Sequence, residues 1–347
     1  MRLVNIIMAY AAAPLAGLLL SLSVLSGNSQ ALNLPLNNMV AATVSLETDL
    51  TLARENVGGI YHSARAQEEI FREQEAVLRE LAQKSSDQTQ LSDQIYEERI
   101  LAMLGPPIRV YSSSRVEIKI FKLDELGYRG YIAKIKLFDP SVFRVELAGG
   151  TLGQRETTAE AVRRTGAVLG INGGGFYTSF KNGRQVEYPL GNTVIDGEYM
   201  GGFNPSDDLF FTGIQKNGNL VGGIFPDKNS FSEIKPWQGV SFLPILIQDG
   251  RPLSIPKEWS TTRHPRTIIG EYANGDLIMI VVDGRQSDYS SGVTLERLQY
   301  KLAELGVKEG YNLDGGGSTT LVYKGEVLNR PSDGRLRPVV TNIVILP

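Results

Sequence analysis

Not one of the 347 residues is cysteine. Disulfides, thiol nucleophiles and cysteine-based zinc sites are excluded together. Histidine is nearly as scarce. His62 and His264 are the only two, so a His-rich metal site is impossible and any Ser-His-Asp arrangement would have to use one of them. Neither sign of charge dominates: 35 basic against 38 acidic residues leave a net charge of −3, which gives no reason to expect nucleic acid as a partner. The remainder is ordinary globular composition, 42% hydrophobic and 21% charged, enough for one large domain or two smaller ones.

Only one long apolar run exists, Ile6 to Leu25, preceded by Arg2 and followed by no Lys or Arg until Arg54. Its ~20 residues match a bilayer-crossing helix, and the charge bias places the N-terminus inside. The rival reading is a signal peptide cleaved after Ala31, at the small-x-small pattern Ser29-Gln30-Ala31. Residues 1–31 are therefore expected to be a single-pass membrane anchor through residues 6–25, or a cleaved leader. Both readings export the rest of the chain.

Residues 32–105 are expected to form a helical stalk. Leu46, Leu50, Ala53, Val57, Ile60, Ala64, Phe71, Leu78 and Leu81 follow heptad spacing, as in a coiled coil. Such a stalk would pair as a homodimer; the plainer reading is an amphipathic helix packed on its own domain. Gly58-Gly59 interrupts the pattern, and Ser85-Ser86-Asp87 predicts a break before a second helical piece from Leu91 to Leu104. His62 reads as a surface residue of this helix.

From Ile108 the periodicity changes to two. Val116–Ile120 and Tyr131–Leu137 alternate apolar with polar residues, as half-buried strands do. Further strands are predicted at Phe143–Leu147, Ala167–Ile171, Leu209–Ile214, Val240–Ile247, Thr267–Tyr272, Leu277–Val282, Thr320–Tyr323 and Val339–Leu346. Helices are predicted at Thr158–Arg164 and at Thr294–Leu305, the latter capped by Ser291 or Thr294 and ended by Gly306. Strands outnumber helices without alternating with them. Residues 106–347 thus read as an α+β domain on a mixed, mostly antiparallel sheet with few helices.

Two glycine-rich segments follow apolar strands. One is Asn312-Leu313-Asp314-Gly315-Gly316-Gly317-Ser318-Thr319-Thr320, the other Asn172-Gly173-Gly174-Gly175. Each reads either as a turn or as a loop lining a cleft. A third segment, Asp283-Gly284-Arg285, ends a wholly apolar strand before a helix; it is either an Asp-Gly turn or an anion site. Arg266 starts another strand, beside His264, which reads as a loop residue or a proton donor and acceptor. Arg337 and Asn342 come near the end. Carboxylate, arginine, amide and glycine loop together suit a sugar bearing phosphate.

The collinear set Asn172-Gly173-Gly174, Pro265 to Gly270, Val282 to Arg285, Ser290 to Leu295, Leu305-Gly306, Asn312 to Thr320 and Arg337 to Asn342 resembles the phosphodiester glycosidase family over roughly Gly166 to Leu346. The resemblance implies hydrolysis of a sugar-1-phosphodiester, releasing the sugar and a phosphomonoester; for an exported domain the expected substrate is cell-envelope or exported polysaccharide. It implies Asp283 or Asp314 as the carboxylate that activates water or steadies the cationic sugar carbon. Asn172, Gly173, Gly174, Arg266, Arg285, Asn312, Gly315, Gly316, Gly317, Ser318, Thr319, Arg337 and Asn342 would then bind substrate. No cofactor is required; an oxygen-ligated calcium ion at Asp283, Asp314 or Asn312 is left open. Two other classes compete: a tethered module that binds polysaccharide or assists exopolysaccharide assembly without catalysis, and a coiled-coil structural protein with an inert head.

Overall fold

The computed structural model describes residues 39–181 and 183–347. The apolar run 6–25 and the cleavage pattern at 29–31 lie outside them. Among the described residues no helix is long and apolar enough to cross a membrane.

A helix, α1 (Met39–Leu104), occupies the described part of the segment 32–105. It continues through Gly58-Gly59 and through Ser85-Ser86-Asp87, where an interruption and a break are expected. Serine and aspartate each cost under roughly 0.7 kcal/mol inside a helix. Thr89 Oγ1 bonds to the Ser85 carbonyl at 2.9 Å, and the i,i+4 pairs Glu68–Arg72, Glu75–Arg79 and Glu80–Lys84 add a few tenths of a kcal/mol each. Contacts divide the chain into a unit ending at Lys84 and a unit from Ser85 to Pro347. Within the first, the seam residues Leu50, Val57, Ile60, Phe71, Leu78 and Leu81 are all exposed.

The second unit begins with the last turns of α1. Ile100 is fully buried, and Tyr96, Met103 and Leu104 pack beside it. Glu97 pairs with Lys119 at 2.9 Å and with the buried Lys134 at 3.1 Å. Lys134 also pairs with Asp276, and Lys136 with Asp93.

Strands β1 (Arg109–Ser112), β2 (Val116–Glu125), β3 (Tyr128–Leu137) and β4 (Phe143–Leu147) follow. Helix α2 (Thr158–Thr165) precedes β5 (Leu169–Asn172), the hairpin β6 (Phe176–Lys181) and β7 (Arg184–Pro189), and the short β8 (Val194–Ile195) and β9 (Glu198–Tyr199). Next come β10 (Phe210–Ile214), β11 (Leu220–Ile224), α3 (Lys228–Glu233), β12 (Gln238–Phe242), β13 (Ile245–Gln248), β14 (Arg251–Pro252) and α4 (Lys257–Ser260). The chain closes with β15 (Arg266–Tyr272), β16 (Leu277–Val282), α5 (Leu295–Glu304), β17 (Val307–Leu313), β18 (Leu321–Tyr323), β19 (Glu326–Val327) and β20 (Thr341–Ile345).

Among the described residues these strands form an eight-stranded sheet, β1-β2-β3-β16-β15-β17-β13-β14, two five-stranded sheets, β11-β10-β12-β8-β9 and β19-β18-β5-β20-β4, and the β6-β7 hairpin. The described strand pairs are antiparallel, and the arrangement is α+β. One apolar layer, including Ile118, Ile135, Ile171, Met279 and Ile343, fills the space between the large sheet and the smaller ones. A second lies on the outer face of the large sheet, where α5 buries Leu295, Leu298 and Leu302. Each such leucine contributes roughly 1.5–3 kcal/mol. Thr294 caps α5 by accepting from the Arg297 N–H.

The expected single strand Val240–Ile247 is two strands in different sheets. Pro244 has no N–H to give a ladder, and the chain changes sheets there. Asn312 Nδ2 holds the crossing point through the Leu243 carbonyl at 2.7 Å.

Candidate active site

The site is assembled where β5, β16 and β17 end, β15 begins and the segments after β17 and β19 return. Asn172 is its joint. Its Nδ2 donates to the Asp314 carbonyl at 2.6 Å, and its Oδ1 accepts from Thr267 Oγ1 at 2.8 Å and from the Thr320 N–H at 3.1 Å. Expected among the substrate contacts, this amide is fully buried and engaged with protein.

Gly173 and Gly174 continue β5 as a packed segment. Gly173 N–H bonds to the Thr341 carbonyl at 2.9 Å, and Gly174 N–H to Thr341 Oγ1 at 3.1 Å. A side chain on Gly174 would collide with the Ser241 carbonyl, 2.5 Å from the site of its Cβ. These glycines let one strand end pass closely over another.

The second glycine loop faces the arginines. Gly316 adopts φ +60°, and its N–H donates to the Pro265 carbonyl at 2.9 Å. A Cβ there would lie 3.0 Å from Arg285 Nη2. Gly317 passes under the Arg337 and Asp333 side chains, which a Cβ there would displace. Gly315 lies over the Pro265 carbonyl.

Arg266 is 4% exposed. Its Nη2 donates to the Thr262 carbonyl at 3.0 Å and its Nε to the Val293 carbonyl at 3.4 Å, and no carboxylate pairs with it among the described residues. Burial, with Arg285 adding to it, pushes its guanidinium down to about 10, so it is charged at neutral pH. Arg285 has a left-handed backbone, φ +61°, an uncommon conformation for a non-glycine residue. Its Nη2 is 3.5 Å from His264 Nδ1. Burial and then Arg266 and Arg285 lower the His264 pKa below its ordinary value, which favours the neutral imidazole. Asp333 holds Arg337 at 2.8 Å and lies 4.0 Å from Arg285. The side chains of Arg285 and Arg337 are 45% and 39% exposed, so the cluster opens to solvent.

The two carboxylates have different surroundings. Asp314, half-buried, follows β17 beside the glycine loop. Burial pushes it up to about 6, offset in part by the Ser318 hydroxyl and Arg337. Asp283 is 1% exposed. Its Oδ1 accepts from Asn329 Nδ2 and the Arg330 N–H, both at 2.9 Å, while Oδ2 has no partner in the structure. Burial raises it to about 6, against the lowering effect of those bonds and of the Tyr289 hydroxyl. Tyr289 lies between Arg129 and Arg330, with their guanidinium carbons 5.2 and 5.3 Å from its ring centre. Asp314 thus belongs with the arginines and the glycine loop, and Asp283 with Asn329, Arg330 and Tyr289.

Other expected residues are buried and unsatisfied. Asn312 Oδ1, Thr319 Oγ1 and both polar atoms of Asn342 lack partners within the protein. Asn342 stands directly across from Asn172 in the β5–β20 register. A buried polar group left so costs about 1–3 kcal/mol, and such groups concentrate in the expected set. Among the described residues no group of three or more His, Asp or Glu side chains converges to hold a metal ion. The calcium ligation left open from sequence has no such cluster behind it.

Sequence reasoning missed Asp333 and Asn329. Asp333 sits in Pro331-Ser332-Asp333-Gly334, which reads as a plain turn. Asn329 carries no motif, yet it joins Asp283 to the Thr319 carbonyl and the Leu321 N–H.

A family model described as phosphodiester glycosidase matches residues 165–346. An uncharacterised protein from the SPbeta prophage of Bacillus subtilis, YomE, is 28% identical over 197 residues, 55% of this chain and 30% of that protein. The mouse N-acetylglucosamine-1-phosphodiester alpha-N-acetylglucosaminidase is 26% identical over 251 residues, 66% of this chain and 46% of that enzyme. The solved catalytic domain of the zebrafish enzyme of that name, auto-inhibited by its pro-peptide, superposes with a TM-score of 0.53 at 25% identity, covering 70% of this chain and 86% of that one. The chain spans less than half the length of these curated relatives.

Proposed function

Because the chain belongs to the phosphodiester glycosidase family, we propose that it hydrolyses the glycosidic bond of a sugar-1-phosphodiester. One observation carries this reading: Arg266 is buried without an acidic partner among the described residues, and a second cation, Arg285, acts on it. Burying an unpaired charge costs several kcal/mol. A phosphodiester bound between the two arginines would supply the missing counter-charge.

In the proposed reaction the bond between the sugar C1 and the phosphate oxygen breaks. Its electrons leave with the phosphate, and water adds its hydroxyl to C1. The water proton passes to the Asp314 carboxylate and then to solvent. The leaving phosphomonoester needs no proton, because Arg266 and Arg285 stabilise the charge that develops on its oxygen. Asp314 is the base in this scheme, and Asp283 positions the 329–330 segment. With Asp314 titrating near pH 6, its ionised, basic form predominates at neutral pH and declines below pH 6.

The substrate class we favour is phosphate-linked envelope or exported polysaccharide, met outside the cytoplasm. The exposed heptad seam of α1 supports pairing of two chains; a monomer in sedimentation of residues 32–105 at high concentration would overturn that part. For the activity, the purified protein is incubated with several sugar-1-phosphodiesters and free sugar is measured, alongside Asp314→Asn and Arg285→Ala. Release by the wild type that falls at least a hundredfold in both variants is expected. A protein that binds glycan but releases no sugar from any of them is a binding module, and the hydrolase reading fails.

A further inference from the structure

A cavity of about 670 Å³ lies elsewhere on the second unit, and none of the candidate active-site residues lines it. Its walls come from three connections: Asp196 between β8 and β9, Gln215, Lys216 and Asn217 in the turn from β10 to β11, and Lys235 and Trp237 between α3 and β12. The volume falls within the ~300–1,000 Å³ usual for small-ligand sites.

The chemistry of these walls is specific. Trp237 is half-buried, with the Lys216 ammonium 4.3 Å from its ring centre. Lys216 and Lys235 have no acidic partner among the described residues. The one carboxylate in the wall is already neutralised: Asp196 accepts from Arg144 Nη2 at 2.8 Å and from Gln238 Nε2 at 2.9 Å. The cavity is therefore cationic, with an indole platform and two amides at its edge: Gln215 Nε2 donates to the Ile234 carbonyl at 2.7 Å and Asn217 Oδ1 accepts from the Asn219 N–H at 3.1 Å, which leaves Gln215 Oε1 and Asn217 Nδ2 for a ligand. Two of the five non-glycine residues with positive φ among the described residues, Asp196 at 54° and Lys235 at 46°, line it. Asp196 and Gly197 form the two-residue turn of the β8–β9 hairpin, in which positive φ at both positions is the ordinary geometry.

We propose that this cavity binds an anionic saccharide. The C–H face of a pyranose would lie on the indole of Trp237, hydroxyls would meet the two side-chain amides, and the lysines would take up a carboxylate, sulfate or phosphate on the sugar. Lys216 sits on a turn with a flexible four-carbon stem, so it can swing from the ring to a bound anion. The site stands independently of the hydrolytic reading. On a long polymer it would hold one stretch of chain while another occupies the arginine cluster, and raise the local substrate concentration.

The test follows tryptophan fluorescence of the full chain titrated with oligogalacturonate, with neutral dextran oligomers and polyphosphate in parallel. Trp237 and Trp259 are the chain's only tryptophans, so Trp259→Phe isolates the Trp237 signal. Saturable binding of oligogalacturonate is expected, weakened at least tenfold by Lys216→Glu and by Trp237→Ala, with weaker binding of dextran and of polyphosphate. Lys216→Glu, an exposed turn substitution that leaves the fold intact, should retain sugar release from a small soluble sugar-1-phosphodiester. Absence of saturable binding overturns the proposal. So does equal affinity for polyphosphate, which would mean charge alone, or binding that survives Lys216→Glu but is lost in Arg285→Ala, which would place the saccharide at the arginine cluster.

Discussion

Asp283→Asn should make the protein more stable at neutral pH, while wild type and variant should converge in acid. The carboxyl is 1% exposed, its Oδ1 holds two bonds at 2.9 Å, and its Oδ2 has none. Asparagine keeps the Oδ1 acceptor and puts a neutral N–H₂ where the charged, unpartnered Oδ2 stood. Burial lifts the folded-state pKa from 3.8 to about 6. At roughly 1.36 kcal/mol per unit, ionising Asp283 in the folded protein costs about 3 kcal/mol as an upper figure. The folded pKa exceeds the unfolded one, so the native state binds the extra proton. The penalty is complete above pH 6, shrinks as the pH falls from 6 to 4, and is gone below 4. Urea unfolding of both proteins at pH 8 and pH 4 tests this. The variant should gain about 1–3 kcal/mol at pH 8, which is on the order of 2–10 °C in Tm for a unit of this size, and almost nothing at pH 4. An equal gap at the two pH values would refute the reasoning, as would a variant weaker at pH 8 than at pH 4. Should the stabilised variant also lose activity, the cost of the buried charge would be explained by function.

Three further outcomes follow from the same geometry. Arg266→Met should retain the fold, because it replaces a buried charge that no carboxylate pairs among the described residues by an apolar side chain, yet lose at least a hundredfold in kcat/KM; inorganic phosphate should raise the Tm of the wild type and not of the variant. Asn172→Ala breaks three buried hydrogen bonds and should cost about 2–4 kcal/mol in urea unfolding. A chain beginning at Ile108 should unfold at lower urea than one beginning at Ser85, because it lacks the buried Ile100 and leaves Lys134 without Glu97; equal midpoints would show that the last turns of α1 contribute nothing.

What could be read from sequence divides along the range of the interactions. Period-two alternation marked β2 and β3, and Thr294 with Leu295, Leu298 and Leu302 marked α5, because cap and apolar stripe are neighbours in the chain. The Asp314-Gly315-Gly316-Gly317 loop was legible as a place where backbone meets something closely. What it meets, Pro265, Arg285, Asp333 and Arg337, was not. The protein partners of Asn172 were hidden for the same reason: a buried amide that joins distant segments looks, in one dimension, like one that meets a ligand. The division of Val240–Ile247 between two sheets turned on Pro244, whose effect an apolar run conceals. The separate surroundings of Asp283 and Asp314 depend on Asn329, which no motif announces.

Asn172 joins segments 95, 142 and 148 residues away from it. Links of that length close late, since the chain must order everything between them before they contribute. The site therefore does not exist in any partly folded form of the protein. During synthesis or refolding, the chain carries an inert set of dispersed side chains until β5, β15, β17 and β20 have all come together. Recovery of activity would then keep time with the slowest structural phase and never run ahead of it, and a nascent chain could pass its own substrate without touching it.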